Sequence, residues 1–381
     1  MQLGIENRER AVDNGTRNMN CRKSQNTIKA WISITLILVM LISLCSCGAN
    51  AGEKESQKEI TRPMPGTVIE ETDEFITVVD QAGREVTAPK DIQSIALCYR
   101  VVIRFLLSLD QGEKIKGIGK PEEFLYELEP NLKNCVDVGK GVADIEALAE
   151  LNPDIFFHKS GDIKTLDAVE RIGIPAVGIN IETPDDMKQA LFIIGKFCGE
   201  DEKADKLINY YDNKLKEFKK LTESIDENEV KTAIMMGSSL GSVADGTMLQ
   251  SKMIEAAGGV NPAKSIKAME LWPVAGIEQI FKWDPDFIFI TNSDRATYTP
   301  EVLLSDKDWK SLTAVKNKNI YVMPAENDSW EFPGIVSLLG MEYMMKMMYP
   351  ELISEEKLDK DVNELYKLCY SKKFSKDELG Y

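Results

Sequence analysis

One segment of the chain has the form of a nucleophile turn. Gly237-Ser238-Ser239-Leu240-Gly241 follows the apolar run Thr232–Met236 and fits the G-x-S-x-G elbow that lifts a serine above a strand. In that arrangement an acid and then a histidine follow the serine. The chain has a single histidine, His158, and it precedes Ser239. The general base is missing, so hydrolysis by this route is excluded. Gly117-Ile118-Gly119 is too short for a dinucleotide fingerprint. Of seven cysteines, Cys98, Cys135, Cys198 and Cys369 lie outside the first 50 residues, scattered and without a C-x-x-C pair. No zinc site, and no resident metal or cofactor, is expected. The expectation is a protein that binds and does not catalyse.

Other side chains fit binding better. Cys98-Tyr99-Arg100, His158-Lys159-Ser160-Gly161, Gly237–Ser242 and Asn292-Ser293-Asp294-Arg295 each follow an apolar run that reads as a strand. In open α/β sheets ligands meet the loops at the carboxyl ends of strands. Arg100 and Arg295 suit carboxylates, or the negative charge of a metal complex, through paired N–H bonds; surface salt bridges are the alternative. Trp272 and Trp330 lie in irregular, proline-containing segments, as cleft walls or as ordinary packing. Tyr99 offers a phenol to a ligand or, as phenolate, to a ferric ion. His158 serves as an axial ligand, a hydrogen-bond donor or a structural residue, with no second histidine to share a metal. Ser239 completes the candidate set.

A second kind of signal is repetition. Ile145-Glu146 is followed after six residues by Pro153-Asp154-Ile155-Phe156-Phe157, and Ile277-Glu278 after six by Pro285-Asp286-Phe287-Ile288-Phe289. Each copy reads as a short helix with Glu in its first turn, a proline stop and a buried strand. Two copies imply two similar lobes, each presenting one acid at an equivalent place.

The surrounding elements agree with that division. Ile76–Asp80 and Glu85–Thr87 flank a glycine turn as a hairpin. Strand and helix then alternate through Gln93–Leu97, Val101–Leu109, Ile115–Ile118, Asp154–Phe157, Lys164–Ile172 and Ala176–Ile179. Thr183-Pro184-Asp185-Asp186 opens a helix that breaks at Gly199 and resumes over Asp201–Leu221. The second piece would run on the order of 30 Å, enough to cross between lobes. A second α/β unit follows, with a Met- and Leu-rich helix over Pro333–Tyr349 and a charged one over Ser354–Tyr370. Core packing is the expected use of Met344, Met345, Met347 and Met348. The expected class is α/β, with two Rossmann-like lobes joined by one long helix and a ligand cleft between them. The predicted boundaries are 75–183 for the first lobe, 184–229 for the connecting helices and 230–381 for the second lobe with its C-terminal helix.

The N-terminus gives the location. Arg8, Arg10, Arg17, Arg22, Lys23 and Lys29 precede an apolar run from Ala30 to Leu44, a secretory signal pattern. The run then ends in Leu44-Cys45-Ser46-Cys47-Gly48, which resembles the lipobox of bacterial lipoproteins. That resemblance implies cleavage of residues 1–46, a diacylglyceryl group on Cys47 and a flexible tether over 47–74; an uncleaved signal anchor is the alternative. Formal net charge is −16, which argues against nucleic-acid partners.

Several stretches together resemble the substrate-binding lipoproteins of bacterial ABC importers for iron–siderophore, haem and cobalamin. They are Val79–Thr87, Asp144–Glu146 through Asn152–Asp154, Ala256–Asn261, Glu278 through Asp286, and Trp309–Lys316. The resemblance covers about Ile76 to Glu351. It implies a rigid crossing helix and a shallow cleft, with Glu146 and Glu278 docking into basic pockets of the permease. It further implies a monomer held outside the cell membrane by its lipid, delivering a metal chelate to a permease and its ATPase. Ferric siderophore leads as ligand, then haem or cobalamin, then a simpler metal chelate or oxyanion. A lipid-anchored sensor or adhesin on the same fold is the alternative from another class.

Overall fold

A computed structural model describes residues 63–266, 271–292 and 297–381. The secretory segment and Cys47 lie outside the described residues, as does Arg295. No helix among the described residues is long and apolar enough to cross a membrane.

The described chain opens with an antiparallel sheet, β1 (Val68–Glu71), β2 (Phe75–Val79) and β3 (Glu85–Pro89), in that order. The tether expected to reach residue 74 therefore ends earlier. Val68 pairs with Val78 and Glu71 with Ile76, and Gly66 N donates to Val79 O at 2.7 Å. The β2–β3 turn explains the Asp80-Gln81-Ala82-Gly83-Arg84 stretch. Asp80 is buried, and its carboxylate accepts from the backbone N–H groups of Ala82, Arg84 and Gly178. Its hairpin is thereby pinned to a strand about one hundred residues away in sequence.

The first lobe alternates strand and helix as expected: β4 (Ile95–Leu97), α1 (Val102–Ser108), β5 (Ile115–Ile118), α2 (Glu123–Leu128), α3 (Ile145–Leu151), β6 (Ile155–Lys159), α4 (Ile163–Arg171) and β7 (Ala176–Ile179). Its strands are parallel in the order β5-β4-β6-β7. Two helices, α5 (Pro184–Cys198) and α6 (Asp201–Thr222), lead out of it. Thr183 closes a capping box with Asp186 at the start of α5, and left-handed Gly199 ends it. The second lobe holds β8 (Ala233–Met236), α7 (Leu249–Ala256), α8 (Ile277–Trp283), β9 (Phe287–Ile290), α9 (Pro300–Ser305), α10 (Thr313–Lys316) and β10 (Ile320–Val322). These strands are parallel in the order β10-β9-β8. The chain ends with α11 (Ser337–Met348), α12 (Glu355–Tyr370) and α13 (Lys376–Leu379).

Side-chain alternation sorts each sheet into two faces. Ile95, Leu97, Ile155, Phe157, Val177 and Ile179 share one continuous core with Ala233, Met235, Phe287 and Phe289 of the other lobe. Leu207, Tyr211 and Phe218 of α6 and Met341, Met344, Met345 and Met348 of α11 complete it. The methionines are packing residues. The opposite faces fill separate local cores, Ala96, Phe156 and Ala176 in the first lobe and Ile234, Met236, Ile288 and Ile290 in the second. A core common to both sheets, threaded by a glycine-free helix of 22 residues, resists independent lobe motion.

The C-terminus adds a second crossing. Phe374 packs on Phe124 of α2 at 5.3 Å between ring centroids, and Lys372 Nζ donates to the carbonyls of Glu127 and Leu128. The segment assigned to the second lobe thus ends against the first. Cys98, Cys198 and Cys369 are buried free thiols and Cys135 a half-buried one.

Candidate functional site

The repeated motif folds the same way twice. Glu146 stands in the first turn of α3, whose N-cap Asp144 accepts from the N–H groups of Glu146 and Ala147. Glu278 stands in the first turn of α8. Both helices end on a left-handed residue just before the proline, Asn152 at φ 47° and Asp284 at φ 39°. The Asp after each proline then caps the neighbouring strand. Asp154 Oδ2 accepts from the N–H groups of Gln93 and Ser94 at 2.8 Å each, and Asp286 Oδ2 from Thr232 N at 2.8 Å and Thr232 Oγ1 at 2.9 Å. Both glutamates are exposed. Four residues before each lies a valine open to solvent, Val142 at 76% and Val274 at 73%. Sequence reading missed this pair, although Val-Ala-x-Ile-Glu occurs in both copies.

The strand ends of the two lobes meet through a buried ion pair. Arg104, in the first turn of α1 after β4, donates from Nε and Nη2 to Asp328 Oδ1 at 3.1 Å each. Asp328 lies in the loop after β10, and its other oxygen accepts from Tyr366 Oη at 3.1 Å. The guanidinium also sits 6.0 Å from the Phe332 ring centroid. Both partners are almost wholly shielded from water. Nearby charge holds Arg104 firmly in its cationic form despite the burial that opposes it.

Of the predicted ligand residues, Arg100 is linked to this pair through Glu122. Tyr99 and Arg100 occupy the loop between β4 and α1. Arg100 Nη1 lies 3.1 Å from Glu122 Oε1 and 3.4 Å from the carbonyl of Lys120, so the salt-bridge alternative is realised. Burial, then the carboxylate of Glu182, pushes the Tyr99 phenol well above its ordinary range, so it acts as a neutral hydroxyl. In the second lobe Ser239 is exposed in the turn after β8, where its carbonyl accepts from Ser242 N and Oγ. Trp272 takes a left-handed φ of 57° and packs against the same turn: a Cβ on Gly237 would come within 2.6 Å of its ring. A bulky residue held there stores about 1–3 kcal/mol of strain, which fixed neighbours must sustain.

For two of the candidates the packing or structural alternative is the one realised. Trp330 is fully buried; its Nε1 donates to Tyr366 Oη at 3.1 Å and its ring packs on Tyr343 and Tyr381. It supports the β10 loop from beneath and offers no face to a ligand. His158 is buried with both ring nitrogens engaged, Nδ1 with Cys98 Sγ at 3.1 Å and Nε2 with Asp162 Oδ2 at 3.0 Å. It ties the β4 and β6 loops together. The Cys-His-Asp order has the outline of a nucleophilic triad, but burial, with help from Asp162, pushes the thiol up to about 12. That thiol is a poor nucleophile.

Buried acids of the β10 loop were also missed. Glu331 is shielded from solvent; Oε1 accepts from Thr291 Oγ1 at 2.7 Å and Oε2 from Ser329 Oγ at 2.9 Å. Burial raises its carboxyl above the ordinary range. Tyr298 Oη donates to the carbonyl of Gly237 at 2.8 Å, bracing the β8 turn from below. A concavity of about 700 Å³ lies elsewhere, between α6 and α12, walled by pairs such as Lys214–Asp361 that already neutralise each other.

Comparison with known proteins agrees with this geometry. Residues 106–327, more than half of the chain, match the family described as periplasmic binding protein. The molybdate-binding protein MolA of Haemophilus influenzae is 25% identical over 336 residues, covering 80% of this chain and 93% of that protein. The iron-uptake system-binding protein of Bacillus subtilis is 26% identical over 307 residues, 76% of this chain and 90% of that one. A periplasmic solute binding protein from Veillonella parvula, solved as a crystal structure, superposes with a TM-score of 0.70 at 25% identity. It covers 80% of this chain and 96% of its own.

Proposed function

The chain belongs to the periplasmic binding protein family, and from that premise we propose that it captures an anionic metal complex outside the cell membrane for an ABC importer. The observation that carries the reading is the meeting of the two lobes' strand ends at Arg104–Asp328, with Arg100 joined to it through Glu122. Two rigid α/β lobes holding cationic and aromatic side chains at facing loops suit capture without chemistry. Glu146 and Glu278 dock the loaded protein on two basic pockets of the permease, and Cys47 carries the lipid that keeps it there. Unchanged fatty-acid labelling of a Cys47→Ala variant would remove the anchor.

Ferric siderophore is the proposed ligand. Its flat apolar parts suit the half-buried Trp272, and its negative charge suits Arg100 and the second proposed cation, Arg295. A metal oxyanion is the second reading, favoured by the name of the Haemophilus relative. Titration of tryptophan fluorescence with ferric siderophores, molybdate, haem and cobalamin separates these. Arg100→Ala is expected to weaken an anionic ligand by roughly 1.5–3 kcal/mol, the worth of a charged hydrogen bond. Unchanged affinity for every anionic probe would favour a neutral ligand.

A further inference from the structure

Glu122 stands in the connection between β5 and α2, at the same sheet edge as the β4 loop. Its Oε1 is 3.1 Å from Arg100 Nη1, and its Oε2 is 3.7 Å from Arg104 Nη1. The second distance is too long for a hydrogen bond, and Oε2 is a buried oxygen with no hydrogen-bond partner. The carboxylate bridges two arginines yet satisfies only one. Arg104 is already neutralised by Asp328, whereas Arg100 has no other acid against it among the described residues. Arg100 and Glu122 are each about one-third exposed, so water and ligand can reach the pair.

Resting on the reading that Arg100 meets an anionic ligand, we propose that Glu122 is a built-in competitor for that arginine and sets the threshold of anion affinity. A ligand carboxylate, catecholate or oxyanion must take the place of Oε1 on the guanidinium. Displaced Glu122 then leaves one uncompensated positive charge among Arg100, Arg104 and Asp328, which the ligand supplies with an anion. A neutral ligand gains nothing from the exchange. Weak anions are rejected because they cannot outbid a carboxylate already in place, and multiply charged complexes are admitted.

The discriminating variant is Glu122→Gln, which keeps the shape and removes the charge. Molybdate and ferric citrate serve as anionic probes and cobalamin as the neutral one, each titrated calorimetrically against the full mature chain. The variant is expected to bind the anionic probe that wild type binds about two- to fivefold more tightly, the range of a partly exposed ion pair. Cobalamin affinity should not move. In an Arg100→Ala background the same substitution should have no effect, because the competition has lost its object. A Glu122→Asp control, charged but shorter, reports whether shape alone matters. Unchanged or weakened anion binding in Glu122→Gln overturns the proposal, as does equal tightening of cobalamin. If wild type binds neither anionic probe nor a ferric siderophore, the anionic-ligand reading itself fails, and that outcome is distinct from the others.

Discussion

Arg104→Ala is expected to destabilise the fold by about 3–5 kcal/mol, the range for breaking a buried ion pair by removing one partner. The reason is the state of its partner. Asp328 is wholly buried and depends on Arg104 Nε and Nη2, with Tyr366 Oη on its other oxygen. Removing the cation strands a carboxylate in a medium that cannot solvate it. Denaturant unfolding measures the loss, and a double replacement by Met at 104 and Leu at 328 serves as control. Swapping both charges for apolar groups should recover most of the stability, since isolated charge, not lost attraction, is the main cost. A loss under 1 kcal/mol in Arg104→Ala would mean that the pair does not hold the lobes together.

Charge reversal at both repeated glutamates is expected to abolish uptake while leaving the folded domain intact. Glu146 and Glu278 are exposed, in first turns of equivalent helices, and make no ion pair among the described residues. Substituting them by Lys should change stability by no more than about 0.5 kcal/mol, the usual range for such surface sites. Ligand affinity should stay within error, because neither residue lies in the loops at the strand ends. In the proposed docking each reversal replaces attraction by repulsion, which costs several kcal/mol in a close charge pair. Transport of radiolabelled ligand into cells, and stimulation of the importer's ATPase, are the readouts. Normal transport by the double variant would remove the docking role. Asp at Val142 and Val274 extends the test to the apolar rim of each patch.

Much of the architecture was legible because its signals are local. Proline after Asn152 and Asp284, the capping box at Thr183 and continuous apolar runs such as Phe287–Ile290 each fix an element within a few residues. The duplicated Glu-to-Pro-Asp stretch implies two lobes from sequence alone. What stayed hidden depends on distant partners. Asp328 and Glu331 look like surface acids in sequence. Their burial follows from Arg104, which is 224 residues from Asp328, and from Thr291, which is 40 residues from Glu331. Trp330 was placed at the ligand because its segment is irregular; Tyr366, 36 residues on, draws it inward. His158 sits at a strand end as expected, but Cys98, 60 residues earlier, takes its free nitrogen. β1 was read as tether because Val68-Ile69-Glu70-Glu71 is an edge strand without alternation, largely open to solvent.

The proposed role of this chain is to carry a metal complex to a membrane importer. The most direct measurement is the intact native mass, with elemental analysis, of the protein extracted gently from the membranes of its own cells grown with limiting metal. One bound metal complex per chain is expected, lost on unfolding and restored by adding back the same complex. A sugar, a peptide or an amino acid in its place, with no metal, would contradict it.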